Sequence, residues 1–210
     1  VICCGYKGHM IKEYFADYYL HRSDVTFDFS AENRMTVHSN VAEPWRVTLV
    51  DTGLNTQTGA RVKRVQKYIG DERFMLTYGD GVSDVDLNAL LAQHTASGKI
   101  ATLTGVQPGG RFGVLYLDES GRTVVGFREK AKEDGGWING GFMVMEPEVF
   151  AYLGTEEGCV LERTPMETLA RGGKLGIYKH NGFWQCMDTQ RDKIWLEQRW
   201  ESGNAPWQVW

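Results

Sequence analysis

The segment Phe74-Met75-Leu76-Thr77-Tyr78-Gly79-Asp80-Gly81 decides the fold, because an apolar run stops in it at a carboxylate between two glycines. A short continuous apolar run is typical of a buried parallel strand, and ligands of open α/β sheets collect at the carboxyl ends of such strands. Asp80 would present there a hard, unhindered anion, which suits Mg²⁺ carried by a nucleoside triphosphate. Because Gly-Asp-Gly also favours an ordinary turn, the segment alone leaves both interpretations open.

The composition narrows the class of protein. A length of 210 residues fits one large domain, or one domain with an appendage, and the net charge of −4 argues against a nucleic-acid partner. The sequence contains no run of about 18 apolar residues, the length that would span a membrane. The four cysteines (Cys3, Cys4, Cys159 and Cys186) have neither zinc-ligand nor disulfide-framework spacing. The sequence therefore predicts a cytoplasmic protein without a membrane segment.

Apolar periodicity predicts strands that alternate with helices. The predicted strands are Val1–Cys4, Val25–Ser30, one within Ala42–Asp51, Phe74–Thr77, Ile100–Gly105, Gly113–Leu117, Val124–Phe127, Trp137–Met145 and Leu175–Lys179. The predicted helices are His9–Leu20, Ala60–Ile69, Asp84 to about His94, Pro147–Leu153, Pro165–Arg171 and Thr189–Glu201. This alternation predicts one α/β domain over residues 1–210, a three-layer sandwich with a mostly parallel mixed sheet. Residues from about 183 to 210 are expected to form a helical, aromatic tail packed on it.

A second candidate carboxylate, Asp188, stands in the segment Phe183-Trp184-Gln185-Cys186-Met187-Asp188-Thr189. If Asp188 faces Asp80 across the edge of the sheet, the two could hold one Mg²⁺ that orients a phosphate for in-line attack. Asp188 also precedes a helical stretch, and a helix N-cap explains an aspartate there equally well. The sequence does not show whether the two carboxylates meet.

Two further segments suit a sugar phosphate. Phe127-Arg128-Glu129-Lys130 places a point charge at a strand end, although a solvated charge run has the same pattern. Ile138-Asn139-Gly140-Gly141-Phe142 places an amide and two glycines inside an apolar strand, where a ligand approaches closely or the strand bulges.

A loop from Thr52-Gly53 to Thr58-Gly59-Ala60-Arg61 opens a basic helix, so that Arg61 could reach a triphosphate. A surface helix with ordinary basic residues fits the same pattern. The five histidines have no metal-ligand spacing, and no Ser-His-Asp or Cys-His arrangement can be argued.

Taken in order, these segments resemble the sugar-1-phosphate nucleotidylyltransferases, most closely the members that use CTP and glucose 1-phosphate. The matching stretches are CCGYKGHMIKEYFADYYLHRSDVTF, AENRMTVH, EPWRVTLVDTG, TGARVKRV, TYGDGVSDVDL, PGGRFGVL, FREKAKEDGGWINGGFMV and GFWQCMDTQRDKIWLE. The resemblance implies a Rossmann-like, GT-A-like nucleotidyltransferase fold that forms CDP-glucose and pyrophosphate.

The resemblance also implies a role for individual residues. Asp80 and Asp188 would hold Mg²⁺, Arg61 would contact nucleotide phosphate, and Lys130 would hold the sugar phosphate. The other residues implied at the nucleotide are Thr52, Gly53, Gly59 and Gly79, and those at the sugar phosphate are Gly113, Glu129, Asn139 and Gly140.

The front of the chain departs from the family, which begins with a strand and a Gly-rich G-G-x-G-T-R loop. The chain instead opens at Val1 inside a predicted strand. We therefore expect a preceding segment to be missing and the 210-residue chain alone to be inactive or severely impaired. A non-catalytic nucleotide-sugar-binding or assembly protein, or an enzyme that uses another nucleotide, stays open. Aromatic residues such as Tyr18, Tyr19, Trp45, Trp207 and Trp210 favour a homo-oligomer, although core packing also explains them.

Overall fold

The computed structural model of the chain describes residues 1–30, 32–108, 114–117, 119, 122, 124–128 and 136–209. The strands are β1 (Ile2–Cys4), β2 (Ser23–Asp28), β3 (Arg34–Asn40), β4 (Leu49–Asp51), β5 (Phe74–Leu76), β6 (Gly81–Ser83), β7 (Ala101–Val106), β8 (Val114–Leu117), β9 (Val124–Arg128), β10 (Ile138–Asn139), β11 (Met143–Met145), β12 (Leu175–His180) and β13 (Trp184–Cys186). The helices are α1 (Gly8–His21), α2 (Thr58–Arg64), α3 (Gln66–Ile69), α4 (Leu87–Ser97), α5 (Thr164–Arg171) and α6 (Gln190–Glu201), with a 3₁₀ helix at Pro147–Tyr152.

The chain divides into two compact units. The first unit comprises Val1–Gly70 and Phe150–Pro165, and the second comprises Asp71–Val149 and Met166–Trp210. Each unit has buried apolar residues of its own, among them Val62 and Leu161 in the first unit and Leu90 and Val144 in the second. In the described ranges, no helix is long and apolar enough to cross a membrane.

The first unit is built on two parallel strands, β1 and β4, which pair from Ile2↔Leu49 to Cys4↔Asp51. The basic helix predicted over Ala60–Ile69 is two helices, α2 and α3, separated at Val65. Val62 and Val65 are buried as their spacing predicts. Arg64, expected to point outward, is instead half-buried, because its guanidinium donates hydrogen bonds to the loop that follows β4.

A two-stranded ribbon, β2 with β3, also belongs to the first unit, and β3 was not predicted from the sequence. The strands pair antiparallel from Ser23↔Asn40 to Asp28↔Arg34, with a register shift after Asp24. Glu32 and Asn33 both have φ of 56°, the left-handed conformation with which tight hairpins close. The signal for β3 was the alternation of Met35 and Val37 behind an acidic, Asn-containing turn.

The second unit contains a five-stranded sheet in which β7 is central. Strand β12 runs parallel to β7 over six residues, whereas β10 and β11 pair antiparallel with β7 and β11 pairs antiparallel with β5. The prediction that Phe74–Thr77 pairs as a parallel strand was therefore wrong, because its described neighbour β11 is antiparallel, although β5 runs in the same direction as β7 and β12. Met75 on β5 is 48% exposed, and the described partner of β5 lies on one side only.

Antiparallel pairings predominate over the described residues. Only β1–β4 and β12–β7 are parallel, and the other six pairings, including the small sheets β6–β13 and β8–β9, are antiparallel. The predicted α/β fold with a mixed sheet is confirmed, but the predicted mostly parallel balance is not. An apolar run does not encode the direction of its neighbour, since both pairings bury the same side chains.

Several predicted boundaries shift for local reasons. Asp86, not Asp84, caps α4, because the Asp86 side chain accepts a hydrogen bond from the backbone N–H of Ala89 at 2.9 Å. The strand predicted over Trp137–Met145 is interrupted between β10 and β11, where Gly141 and Phe142 have positive φ. His94 on α4 is a buried core residue, and burial lowers its pKa.

Candidate functional site

The small sheet β6–β13 brings Asp80 and Asp188 together. Its antiparallel register runs from Trp184↔Ser83 to Cys186↔Gly81, and the Met187 backbone N–H then donates to the Asp80 carbonyl at 2.7 Å. Asp80 thus lies opposite the residue that precedes Asp188, at one end of a three-pair ladder. Both carboxylates are exposed. Asp80 and Asp188, more than a hundred positions apart in the sequence, therefore lie at the same end of the β6–β13 ladder.

Asp188 does not cap helix α6. Thr189 is the N-cap: its hydroxyl accepts a hydrogen bond from the Asp192 backbone N–H, and the Asp192 carboxylate accepts one from the Thr189 N–H, which completes a capping box. The N-cap explanation for Asp188 is therefore excluded, and its carboxylate stands in front of the helix.

The Cys186 thiol is the immediate neighbour of the Asp188 carboxylate. Its Sγ donates to Asp188 Oδ2 at 3.1 Å. Burial, together with this hydrogen bond to an anion, raises the pKa of Cys186 to about 11. A thiol with so high a pKa is almost wholly protonated at neutral pH, which makes it a poor nucleophile and a poor metal ligand.

The Asn139-Gly140-Gly141 segment contacts both the chain just before Asp80 and strand β13. The Asn139 side-chain amide donates to the Tyr78 hydroxyl at 3.0 Å, two residues before Asp80. The Trp184 indole N–H donates to the Gly140 carbonyl at 2.8 Å. The second unit thus places together the segments around Asp80, Asn139 and Asp188.

Gly140 itself has a packing reason to be glycine. It is buried, and a Cβ there would approach Val106 Cγ1 to 2.8 Å and the Thr104 carbonyl oxygen to 3.2 Å. Its N–H also donates to that Thr104 carbonyl. Since both backbone polar groups of Gly140 are bonded within the protein, a direct contact with the sugar phosphate stays a prediction.

Gly79, unlike Gly140, is not crowded by described residues. A Cβ at Gly79 would meet no atom within 4 Å among the described residues, and its φ is not in the left-handed region. The described part of the protein therefore does not require glycine at this exposed position. Gly79 thus leaves open space beside Asp80, as either a turn or a ligand-binding site would allow.

In the first unit, Arg61 lies at the carboxyl ends of β1 and β4. Its guanidinium donates to the Cys4 carbonyl at 3.1 Å, to the Thr52 hydroxyl at 2.7 Å and to the Leu54 carbonyl at 3.3 Å. Thr52 is buried and its hydroxyl donates to the same Cys4 carbonyl, so this side chain positions Arg61. The bonded guanidinium packs directly over Gly5, where a Cβ would come within 2.6 Å of it.

The loop from Thr52 to Thr56 is held by two arginines. Arg64 donates to the Thr52 carbonyl and the Thr56 hydroxyl, next to the bonds from Arg61. Gly53 has φ of 92°, and a Cβ there would lie 2.5 Å from the Thr56 hydroxyl. A left-handed, crowded position of this kind excludes other residues, so the conformation of the loop depends on Gly53.

Gly59 allows helix α2 to pack closely on the chain around Cys159. A Cβ at Gly59 would lie 2.8 Å from Cys159 Sγ and 3.0 Å from the Leu161 backbone nitrogen. The predicted residues Gly113, Glu129 and Lys130 lie outside the described residues.

Sequence reasoning missed several residues that support the site. Arg64, Tyr78 and Trp184 each make a polar contact to a predicted site residue or its loop. Tyr78 and Trp184 stand two and four positions before the predicted carboxylates, and an aromatic residue with a polar tip at a strand end was the available signal. Nothing local distinguished Arg64 from its basic neighbours.

The donor set suits a hard divalent cation. Among the described residues, no cluster of three or more His, Cys, Asp or Glu side chains could hold a metal alone. Mg²⁺ needs no such cluster, because it keeps several waters and binds through one or two carboxylates plus substrate phosphates. Asp80 and Asp188 are exposed and lie at the same end of the ladder, so each carboxylate is available for such a site.

Comparison with known proteins identifies the class of protein that this arrangement defines. No family model matches the chain. Proteins of Salmonella typhi and Salmonella typhimurium (strain LT2), both named glucose-1-phosphate cytidylyltransferase, are 54% identical over 211 aligned residues, which is 100% of this chain and 80% of each relative. The solved structure of HddC from Yersinia pseudotuberculosis is 18% identical, with a TM-score of 0.48 over 69% of this chain and 62% of that chain.

The Salmonella relatives place the chain among the sugar-1-phosphate nucleotidyltransferases, enzymes that generally depend on a divalent metal. More narrowly, the chain belongs to the glucose-1-phosphate cytidylyltransferase family. The fold is accordingly the Rossmann-like α/β fold of nucleotidyltransferases, with a sheet of mixed direction.

Proposed function

We propose that the chain transfers a cytidylyl group from CTP to α-D-glucose 1-phosphate, forming CDP-glucose and pyrophosphate. The observation that carries this proposal is the β6–β13 ladder, which brings the backbone of Asp80 next to Met187, the residue before Asp188. The identity of 54% over the whole chain to proteins named for this activity supports the choice of substrates.

The carboxylates of Asp80 and Asp188 would hold Mg²⁺ together with the phosphates of CTP. When bound, the metal neutralises phosphate charge and polarises the α-phosphorus. Arg61, already oriented by Thr52 and the Cys4 carbonyl, would direct its remaining N–H groups at nucleotide phosphate. Gly53 lets the loop after β4 close on Thr56, Gly59 lets helix α2 pack on Cys159, and Gly79 leaves room beside Asp80.

The sugar phosphate would bind through the residues that the family resemblance assigns to it: Gly113, Glu129, Lys130, Asn139 and Gly140. Of these, Asn139 is oriented by its bond to Tyr78 and by its side-chain oxygen, which accepts from the Gly141 N–H at 3.0 Å. An amide fixed at both ends can distinguish sugar hydroxyls by geometry.

The transfer needs no protein nucleophile. A phosphate oxygen of glucose 1-phosphate forms the new bond to the α-phosphorus of CTP as the bond from that phosphorus to the bridging oxygen of pyrophosphate breaks. Cys186, the thiol beside the site, is held protonated by its pKa of about 11, in agreement with direct in-line transfer. Positioning and electrostatic stabilisation therefore carry the catalysis.

Product formation tests this function directly. The protein is incubated with Mg²⁺, glucose 1-phosphate and, in separate reactions, CTP, UTP, dTTP or GTP, and nucleotide sugar and pyrophosphate are both measured. The assay is run on the 210-residue chain and on a version extended through any coding sequence upstream of Val1. We expect CDP-glucose as the main product. Binding of CDP-glucose without turnover by any version would favour the non-catalytic alternative.

The free thiols support a reducing compartment such as the cytoplasm. All four cysteines are unpaired in the structure. Disulfides are rare in the cytoplasm, where glutathione keeps thiols reduced. A nucleoside triphosphate substrate also fits the cytoplasm.

We also propose that copies of the chain associate through the ribbon formed by β2 and β3. The cross-strand pairs Val25↔Val37 and Phe27↔Met35 share one face of this ribbon, while Thr26↔Thr36 and Asp28↔Arg34 share the other. The apolar face is open: Phe27 is 49% exposed and Met35 46%. An isolated two-stranded ribbon is marginally stable until its apolar face is covered.

Further exposed apolar side chains accompany the ribbon and favour a second copy as its partner. Phe29, stacked on Phe27, is 80% exposed, and helix α1, which anchors the ribbon through the Tyr19 carbonyl, adds further exposed aromatic residues. Trp45, in the segment between β3 and β4, stacks on Tyr18 of α1 and is 62% exposed. Exposed apolar side chains of this kind mark protein–protein interaction sites, and a second copy of the chain presents the same face in return.

The oligomeric state measured by light scattering tests this interface. We expect the protein to elute as an oligomer and the double variant Phe27→Ser/Met35→Ser to elute at a smaller mass with its helical circular dichroism retained. Thr26→Ser/Thr36→Ser, on the polar face of the same ribbon, is the matched control and should leave the mass unchanged. A monomeric parent protein would contradict the proposal.

A further inference from the structure

A cluster of polar groups closes the β6–β13 ladder at the end opposite Asp80 and Asp188. His180 Nε2 lies 2.9 Å from Asp84 Oδ1, and the same oxygen accepts the Phe183 backbone N–H at 2.7 Å. The Ser83 hydroxyl donates to the Phe183 carbonyl at 2.7 Å. We call these four residues (Ser83, Asp84, His180 and Phe183) the clip.

The clip is tightly packed and leaves little room for alternative arrangements. The His180 side chain is 9% exposed. A Cβ at Gly182, which lies between His180 and Phe183, would come within 2.4 Å of Asp84 Oδ1 and 2.7 Å of His180 Cε1. The turn from β12 to β13 is therefore fixed against the residue that follows β6.

The clip connects the short β6–β13 ladder to the longer β7–β12 ladder. The β6–β13 sheet has three residue pairs, which is too few to be stable alone. His180, by contrast, is the last residue of β12, which pairs with central strand β7 over six positions, ending at His180↔Val106. The clip thus holds β6 and β13, the strands next to Asp80 and Asp188, against the end of β12 in the five-stranded sheet.

The clip does not have the geometry of a catalytic triad, although it contains Ser, His and Asp. Ser83 Oγ lies 3.3 Å from His180 Nε2, the same nitrogen that faces Asp84. A histidine that activates serine needs one ring nitrogen toward the hydroxyl and the other toward the carboxylate. The Ser83 hydroxyl is also already bonded to the Phe183 carbonyl. The clip therefore has a structural role and not that of a catalytic triad.

We propose that Asp84 and His180 are positioning residues that fix the register of β6 against β13 and thereby the spacing of Asp80 and Asp188. A shift of one residue would move Asp188 along the strand by about 3.3 Å relative to Asp80. Such a shift would also break the bond from the Met187 N–H to the Asp80 carbonyl. The catalytic consequence rests on the proposed function, whereas the effect on register does not.

Amide hydrogen exchange in the metal-free, substrate-free protein tests the register directly. The Met187 amide reports on the ladder because its bond partner is the Asp80 carbonyl. We expect this amide to exchange at least tenfold faster in Asp84→Ala and in His180→Phe than in the parent protein. Asp84→Asn keeps an oxygen for the Phe183 N–H and should restore part of the protection.

The matched control is Asp86→Ala, two residues along the same loop. Asp86 caps α4 and makes no contact with the clip in the described structure, so Met187 exchange should remain at the parental rate. If either alanine or phenylalanine variant fails to fold, Asp84→Asn provides the comparison. Unchanged Met187 exchange in folded Asp84 and His180 variants would overturn the proposal.

Turnover provides the second measurement. In the Asp84 and His180 variants, the Mg²⁺ concentration for half-maximal rate should rise at least fivefold, with the KM for glucose 1-phosphate unchanged. A rise in the glucose 1-phosphate KM alone would overturn the catalytic part. Absence of cytidylyl transfer by both the 210-residue chain and its extended version would refute the proposed function but would leave the exchange result, and the structural part of the inference, standing.

Discussion

Replacing Asp80 by Asn is expected to lower kcat/KM for CDP-glucose formation by roughly a thousandfold, because a neutral amide holds Mg²⁺ far more weakly than a carboxylate. Asp80 is exposed and, within the described part of the chain, contacts the ladder through its backbone carbonyl, which asparagine retains. The thermal midpoint should therefore change by no more than a degree or two, as for an ordinary surface substitution. Initial rates over a range of Mg²⁺ concentrations, with circular dichroism on the same samples, measure both effects.

Asp71→Asn is the control for Asp80→Asn. Asp71 is also exposed and belongs to the same unit, at the turn before β5, so the two variants lose the same formal charge. Asp71→Asn should keep parental kinetics. A near-normal rate for Asp80→Asn would remove Asp80 from the metal-binding role.

The second large effect is expected at Asp188. Asp188→Asn should reduce turnover by at least a hundredfold while helix α6 stays folded, because Thr189 caps that helix. Thr189→Ala should do the reverse: loss of the cap costs about 1 kcal/mol of stability, with turnover changed less than threefold. Kinetics and thermal unfolding of the two neighbouring variants separate the metal role from the capping role.

The Cys186 thiol gives an independent signal for the same variant. Asp188 accepts the hydrogen bond from Cys186 and so contributes to the raised pKa of that thiol. In Asp188→Asn the pKa of Cys186 should fall, and iodoacetamide should alkylate Cys186 faster than in the parent protein at the same pH. Unaltered alkylation together with parental turnover would contradict both the contact and the role of Asp188.

Local patterns were sufficient to predict elements whose signals are contained in a few neighbouring residues. The periodicity of His9–Leu20 predicted α1, and Pro165–Arg171 predicted α5 almost to its ends. Thr189 was predicted to begin the last helix, and it is the N-cap. These signals are local because helix hydrogen bonds and caps join residues three or four positions apart.

The sequence patterns did not predict structural features that depend on contacts with residues distant in the sequence. The sequence left Tyr19 open between core packing and an interface, and in the structure its side chain is 51% exposed. Asp84 and Asp86 are chemically equivalent N-cap candidates, and the contacts of Asp84 with the distant residues His180 and Phe183 distinguish them. A sequence encodes a strong local preference but does not show which remote segment will compete for it.

The same reason limited prediction of the site. Asp80 and Asp188 were each recognised as candidates, but their meeting depends on the pairing of β6 with β13, two strands of three residues that no periodicity indicated. Thr52 and Gly140 were expected at the substrates, and the structure shows the packing that constrains both. Residues around a site combine structural and chemical roles, so a motif does not reveal which role each one has.

A double-mutant cycle on Asp80 and Asp188 tests the central claim most directly. If both carboxylates hold one metal ion, either Asn substitution alone disables the same unit, and the double variant should be no slower than the worse single variant. The measurement is kcat/KM for CTP at saturating glucose 1-phosphate, in the parent protein, both single variants and the double variant. Losses that multiply in the double variant would show that the two aspartates act independently and would contradict a shared Mg²⁺ site on the β6–β13 ladder.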